Sequence, residues 1–214
     1  MTKTPGLPLS EAIQFGWSTV REYPLFLVGT LIVAWGVPSL IEWGGDTALH
    51  EGAPQFAIRL ISMAVSATLT LGLAKIYLRF RDGERPVFEN LFDGIAQFHK
   101  YLGANIIATV AIVMGLILLI VPGIVILIRL WFVGFVIVDK KSGPLDAIQQ
   151  SWDISRGRTM DLLVLFFILI GLNILGAICL GIGILVTLPM SGLALAHIYR
   201  SLKPASNVSE TTPA

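Results

Sequence analysis

The stretch "YLGANIIATVAIVMGLILLIVPGIVILIRLWFVGFVIVDKK", residues 101–141, contains one charged residue, Arg129, before its polar "DKK" end. About 20 apolar residues cross the roughly 30 Å hydrocarbon core of a bilayer. The stretch is therefore long enough for two membrane spans, Tyr101–Val121 and Pro122–Val138. The "VPG" at their junction is too short to cross a bilayer. We expect two antiparallel helices joined by a tight turn, with Pro122 in the first turn of the second helix.

The whole chain has the composition of a membrane protein. Its 214 residues are 55% hydrophobic and 14% charged, and the mean hydropathy is +0.79. A soluble domain cannot bury so much apolar surface in one core. Four further runs are long enough to span a bilayer: Pro24–Ile41, Phe56–Tyr77, Leu162–Leu180 and Gly181–Tyr199. Because backbone amides in lipid must be satisfied within their own segment, we expect an all-α fold of six membrane-spanning helices arranged as three hairpins.

The basic residues are distributed unequally between the two sides of this predicted bundle. Thirteen of the 15 Lys and Arg residues fall on one side: Lys3, Arg21, Lys75, Arg79, Arg81, Arg85, Lys100, Lys140, Lys141, Arg156, Arg158, Arg200 and Lys203. The other side contains Glu42, Asp46 and Glu51, and only Arg59 and Arg129 depart from the pattern. The positive-inside rule then predicts the cytoplasmic (inner) membrane, with both termini in the cytoplasm. The net charge of +1 gives no reason to expect nucleic acid as a partner.

An internal repeat precedes the spans. The segments "AIQFGWSTVR" (12–21) and "AIQQSWDISR" (147–156) align without gaps, and a looser copy, "FENLFDGIAQFHK", begins at Phe88. Each predicts an amphipathic helix that lies on the cytoplasmic surface of the membrane, with Trp17 and Trp152 as anchors at the level of the lipid headgroups. The apolar stripes are Leu9, Ile13, Trp17 and Val20; Phe88, Leu91, Phe92, Ile95 and Phe98; and Leu145, Ile148 and Trp152.

Each copy is followed by two spans, so the repeat also predicts the domain organisation. We expect one membrane domain, residues 1–203, built from three units at about 8–80, 86–140 and 143–203, and a disordered cytoplasmic tail at 204–214. Arrays of this kind need all their units to complete a core.

Three segments, residues 79–95, 115–163 and 181–202, resemble prokaryotic membrane proteins related to the membrane domain of glycerophosphoryl diester phosphodiesterase. The features that carry the resemblance are Pro122, Gly123, Arg129, Ala147, Ser151, Arg156, Gly157 and the run Pro189–Tyr199. Members of that group are mostly uncharacterised, and where an enzyme is attached, catalysis belongs to a separate soluble domain. The resemblance therefore implies a multi-pass membrane fold and no catalytic residue in this chain.

The motifs of common chemistry are missing from the sequence. It contains no P-loop, no HExxH spacing and no nucleophile elbow, so we expect no enzyme, no catalytic residue, no metal and no cofactor. Ser62, Ser66 and Thr70 recur every four residues in the second span. Such a stripe favours close helix packing or, alternatively, a polar pathway.

Candidate binding residues are basic. The charge of Arg129 within a span must be compensated. The side chain can reach outward toward Glu42 or a lipid phosphate, or it can form hydrogen bonds to amides such as those of Asn105 and Asn173. The third alternative is that it binds an anionic ligand. Candidate contacts to lipid headgroups at the cytoplasmic face are Arg79, Arg81, Arg85, Arg156 and Arg158.

These features favour a non-catalytic membrane scaffold or anchor that engages lipids and partner proteins, membrane or cytoplasmic, at its cytoplasmic face. The alternative is a transporter or channel for a lipid or a small solute, anionic solutes included, which Arg129 and the hydroxyl stripe favour. An intramembrane lipid enzyme is disfavoured because no nucleophile or acid–base pair is recognisable.

The predicted topology can be tested by cysteine labelling in cells. The single native cysteine, Cys179, is first replaced by alanine. A cysteine introduced at Asp46 should then react with an impermeant thiol reagent added outside, and one at Ser142 should react only after the membrane is opened. The reverse labelling would contradict the orientation predicted from the basic residues.

Overall fold

The computed structural model describes residues 6–48, 53–179, 181 and 183–202. Over these residues the fold is all-helical, without a β-strand. The α-helices are α1 (Leu9–Glu22), α2 (Pro24–Ala48), α3 (Ala53–Arg81), α4 (Phe98–Leu118), α5 (Ile120–Arg129), α6 (Val133–Lys140), α7 (Pro144–Ser155), α8 (Thr159–Ile178) and α9 (Ile184–Leu202), and a 3₁₀ helix covers Phe88–Gln97. The predicted tail at 204–214 and residues Lys3, Glu51 and Lys203 lie outside the described residues.

Five segments of the described chain are long and apolar enough to cross a membrane, and they indicate a multi-pass membrane protein. They are Pro24–Asp46, Pro54–Arg81, Phe88–Leu118, Ile120–Lys140 and Thr159–Ile178. These segments overlap the first five predicted spans. The sixth predicted span, Gly181–Tyr199, corresponds to α9, which is less apolar because it contains His197, Tyr199 and Arg200. Its crossing of the membrane therefore stays a prediction.

The polar composition of α9 is explained by its central position. Ten of its residues are buried, from Thr187 to Tyr199, and α1, α2, α3 and α8 all pack on it. The approach of α3 is so close that a Cβ at Gly192 would overlap the ring of Tyr77. A helix enclosed by other helices faces little lipid, so its side chains need not be uniformly apolar.

The turn predicted at "VPG" lies slightly earlier in the chain, because residues 121–123 belong to the first turn of α5. Leu119, in an extended conformation, is the only residue between α4 and α5. The two helices pack together beside it, and a Cβ at Gly115 would lie 3.0 Å from the Cα of Gly123. The fourth predicted span differs from expectation, because a turn at residues 130–132 divides it into α5 and α6.

The packed core lies toward one end of the bundle. In α3, Leu71 and Ile76 are fully buried, whereas Leu60 and Ile61 in the other half of the helix are 50% and 55% exposed. The buried half leads to Arg79 and Arg81. We call this end the basic end; it includes the carboxyl ends of α3, α6 and α9. Apolar side chains at the other end can remain exposed because lipid tails are as apolar as the side chains themselves.

The three predicted amphipathic segments pack on the bundle mainly through their small residues. The buried residues are Ala12, Gly16, Thr19 and Val20 in α1; Asn90, Leu91 and Gly94 in the 3₁₀ helix; and Ala147, Ser151 and Ser155 in α7. One large apolar residue of each segment is strongly exposed: Trp17 is 47% exposed, Phe92 51% and Leu145 67%. Each segment therefore presents a small-residue edge to the bundle and a large apolar edge to its surroundings.

The middle segment forms a 3₁₀ helix, although its stripe predicts an α-helix. It lies against α3 so closely that a Cβ at Gly72 would overlap the backbone of Leu91, and a Cβ at Gly94 would overlap the carbonyl oxygen of Thr68. A 3₁₀ helix is narrower than an α-helix, which is consistent with backbone contact along two turns of α3.

Equivalent contacts recur at regular intervals along the chain. Gly94 lies against the carbonyl oxygen of Thr68 and Gly16 against that of Met190, and the Ser151 hydroxyl donates to the carbonyl of Arg129. Positions 68, 129 and 190 are 61 residues apart. In the same register, "LGLAKIY" (71–77) and "LALAHIY" (193–199) share five identical residues. Ile76, Ile137 and Ile198, also 61 residues apart, are all fully buried.

Substitution of Gly72 tests the close packing of the 3₁₀ helix on α3. Gly72→Ala should lower the stability of the purified protein by about 2 kcal/mol, because the new Cβ meets backbone atoms that cannot rotate away. Gly36→Ala is the matched control, since a Cβ at Gly36 has nothing within 4 Å, and it should change stability by less than about 1 kcal/mol. Thermal unfolding in detergent measures both. Equal stability of the two variants would contradict the contact.

Candidate functional site

Arg129 is the last residue of α5, at the break before α6. The carboxyl end of a helix leaves carbonyl groups without intrahelical donors. Here α7 supplies a donor, because the Ser151 hydroxyl donates to the Arg129 carbonyl at 2.7 Å. The Ser155 hydroxyl lies 3.3 Å from the same carbonyl and donates at 2.7 Å to the Ser151 carbonyl of its own helix. Both serines are fully buried. α7 therefore stabilises the broken end of α5 through Ser151.

The Arg129 side chain is enclosed by α7 and α8. Its guanidinium carbon lies 4.5 Å from the centroid of the Trp152 ring, a distance at which the cation is attracted to the aromatic face. Nη2 donates to the Thr159 hydroxyl at 3.3 Å. Nε is buried and has no hydrogen-bond partner within the described part of the chain. The positive charge of Arg129 is thus stabilised by an aromatic face and a hydroxyl group.

The structure does not bring Arg129 together with its predicted amide partners. The Asn173 amide donates to the Leu169 carbonyl and the Ser191 hydroxyl, and Asn173 is about 21 Å along α8 from Thr159. Asn105 lines a groove between α3 and α4. Arg129 lies instead beside α7 and the start of α8, where it contacts Ser151 and Thr159.

The five predicted headgroup contacts form two separate groups. In the first, Arg79 donates to the Asn90 side chain at 2.9 Å, and Arg81 lies 6.0 Å from the Phe15 ring centroid. Glu22 and burial raise the pKa of the Tyr23 hydroxyl overall, although Arg85 is close enough to Tyr23 to lower it. In the second, Arg156 and Arg158 line a cleft. The first group is thus partly engaged by contacts within the protein.

The cleft lies between α6, α7 and the end of α9 at the basic end. It has a volume of about 440 Å³, and its charged lining consists of Lys140, Asp153, Arg156 and Arg158. Arg158 is 3.8 Å from Asp161. Three cations and one carboxylate around one depression can attract an anionic group.

An ion network connects the ends of three helices beside this cleft. Arg200 donates to Asp139 at 2.8 Å and to Asp82 at 2.9 Å, and the Tyr199 hydroxyl donates to the other oxygen of Asp139 at 2.9 Å. Burial lowers the pKa of Arg200, but its hydrogen bonds to the two carboxylates outweigh this effect and raise the pKa above its ordinary value. Arg200 therefore keeps its charge and holds the ends of α3, α6 and α9 together.

The hydroxyl stripe of α3 lines a groove of about 610 Å³ between α2, α3 and α4. Ser62, Ser66 and Thr70 share it with Tyr101, Asn105 and Thr109, which also recur every four residues, and with Glu42. The Ser62 hydroxyl donates to Glu42 Oε1 at 2.8 Å. Glu42 lies about one turn before the end of the candidate span Pro24–Asp46, so its position outside the membrane stays a prediction. The four-residue spacing on α4 was a signal that could have located the second wall of the groove.

The apolar helices indicate a multi-pass membrane protein, and part of the chain matches a family model. Residues 102–206, just under half of the chain, match the model of a family described as "Protein of unknown function (DUF975)". No curated protein and no solved structure matches the chain. Within the described residues, no group of three or more His, Cys, Asp or Glu could hold a metal ion. This partial match therefore indicates no activity.

Substitution of Arg129 tests whether its side chain is a structural clamp. Arg129→Ala should lower stability by about 2 kcal/mol, the magnitude of a desolvated cation–aromatic contact. Arg129→Lys should be almost as unstable, because an ammonium group cannot replace the planar guanidinium between Trp152 and Thr159. Arg59→Ala, at an exposed position on α3, is the control and should have little effect. Full stability of Arg129→Lys in thermal unfolding would show that a point charge suffices there.

Proposed function

We propose that this protein is a non-catalytic scaffold of the cytoplasmic membrane, with both termini in the cytoplasm, that engages lipids and partner proteins at its basic end. The observation that carries the proposal is that α1, α7 and the 3₁₀ helix each have two different edges, one of small buried residues and one with an exposed large apolar residue. Their small edges pack on the bundle, and their exposed large residues include Trp17, Phe92 and Leu145. Segments of this kind lie in the boundary between headgroups and acyl chains.

The regular spacing of contacts supports a closed array of three units, at about 8–80, 86–140 and 143–203. In each unit the amphipathic segment packs on the second helix of the preceding unit: the 3₁₀ helix on α3, α7 on α5 and α6, and α1 on α9. The last of these contacts joins the first unit to the third. An array closed in this way presents all three segments at the same end, which suits a platform for other molecules.

The packing between units favours a scaffold over an axial channel. Phe132, Ile137, Ile198 and Tyr199 are fully buried at the basic end. The rings of Phe135 and Tyr199 stack at 5.7 Å, and the Arg200 network lies beside them. A pore along the bundle would have to displace this core. The resemblance to glycerophosphoryl diester phosphodiesterase membrane domains agrees with the proposal, because catalysis in that group belongs to a separate domain.

A transporter is the second candidate, and the groove beside Glu42 favours it. A carboxylate and an array of hydroxyl groups in candidate membrane spans are typical of substrate pathways. Arg129, by contrast, is stacked on Trp152, which disfavours its use as an anion site. Flux measurements with purified protein in proteoliposomes distinguish a transporter from a scaffold.

Lipid binding at the cleft tests the scaffold. Anionic phosphatidylglycerol should bind more tightly than phosphatidylcholine, and Lys140→Gln and Arg156→Gln should each weaken it about fivefold, because a basic residue near a membrane surface contributes about 1 kcal/mol. Asp153→Asn removes the opposing charge from the same cleft and should strengthen binding. Native mass spectrometry of the purified protein measures the three variants. If none of them changed the preference, the cleft would not be a lipid site.

A further inference from the structure

The groove between α2, α3 and α4 lies away from the basic cleft and has a distinct chemistry. Glu42 is common to the 610 Å³ groove and two adjoining depressions of about 280 and 370 Å³. Among the described residues, it is the only charged one that lines the main groove. None of the ion pairs within the described residues involves Glu42. The strongest local charge in the groove is therefore negative.

The groove exposes polar side chains on a surface that hydrocarbon chains of the lipid would otherwise contact. Glu42, Ser66, Thr70, Asn105 and Thr109 are all exposed and fall within candidate membrane spans. A carboxylate or an amide in contact with hydrocarbon is strongly disfavoured. The groove must therefore hold a polar group or water against these side chains when the protein is in a membrane.

The remainder of the lining is apolar. Met63, Ala67, Leu102, Ile106 and Val110 alternate with the polar residues along α3 and α4. Cavities of roughly 300–1,000 Å³ with a mainly apolar lining and a few convergent polar groups are typical of small-molecule sites. A concave groove of this size suits an amphipathic molecule better than the face of a second helix.

We propose that the groove binds a membrane lipid whose headgroup carries a primary ammonium group, with the ammonium on Glu42 and an acyl chain along Met63, Ile106 and Val110. Ser62 donates to Glu42 Oε1 and so holds the carboxylate at the groove. The hydroxyl and amide groups of Ser66, Thr70 and Asn105 contact the polar part of the headgroup. The adjoining depression adds Asp46 and Arg59, so the charge at that end remains net negative and disfavours an anionic headgroup.

Binding of phosphatidylethanolamine tests the assignment. Native mass spectrometry of the full-length protein in detergent should show that this lipid binds roughly tenfold or more tightly than its N-acetylated derivative, which has the same acyl chains and no ammonium charge. Glu42→Gln should abolish the difference. Glu89→Gln removes an exposed carboxylate from the 3₁₀ helix, far along the chain from the groove, and should preserve it.

A second variant keeps the test independent of the stability of Glu42→Gln. Ser66→Trp places a large side chain in the groove and should reduce binding of phosphatidylethanolamine with the carboxylate still present. Equal binding of the two lipids by the wild-type protein, or an unchanged preference in both variants, would overturn the proposal. Binding of dodecylamine without binding of phosphatidylethanolamine would also overturn it, in favour of a soluble amine. A disulfide-linked dimer of the Ser66→Cys variant, made with Cys179 replaced by alanine, would instead assign the groove to a second copy of the chain.

The proposal that the cleft binds an anionic lipid and the proposal for this groove can be refuted independently. Lys140→Gln and Arg156→Gln change residues at the basic end and should leave the preference for phosphatidylethanolamine intact. Glu42→Gln should likewise leave phosphatidylglycerol binding at the cleft unchanged.

Discussion

Contact between backbones at small residues is the constraint on which this fold depends. Inside a membrane the hydrophobic effect does not drive one helix toward another, so association relies on close van der Waals packing and hydrogen bonds. Gly16, Gly72 and Gly94 each allow another backbone to approach where a methyl group would collide. Because these contacts join separate segments, they determine which helices are neighbours, and the buried core at the basic end follows from them.

Arg129 shows what happens where this packing meets an interrupted helix. Thr68 and Met190 are the two positions equivalent to Arg129. Each is contacted by a glycine, Gly94 or Gly16, and each lies inside a helix that continues past it. At Arg129 the helix ends, and a serine replaces the glycine and supplies a hydrogen bond. The side chain then occupies the adjacent space between Trp152 and Thr159. The end of α5 at this position therefore explains why a charged residue occurs within an apolar run.

Sequence patterns predicted what depends on local composition. The helix predicted around residues 12–21 covers Leu9–Glu22, and five predicted spans agree with candidate membrane helices. The break after Arg129, its contact with Trp152 and the groove around Glu42 were not predicted, because they depend on segments 20 or more residues apart in the chain. The "LGLAKIY" and "LALAHIY" segments were present in the sequence, but without the contacts nothing linked them to a shared position in the core.

The packing of α1 on α9 has a consequence for synthesis of the protein. Gly16 leaves the ribosome well before the Met190 backbone that it contacts. At 5–20 residues per second, the interval between the two residues is roughly 10 to 35 s. During this time the small edge of α1 has no partner from α9. The nascent α1 is therefore open to capture by chaperones or proteases until α9 has been synthesised.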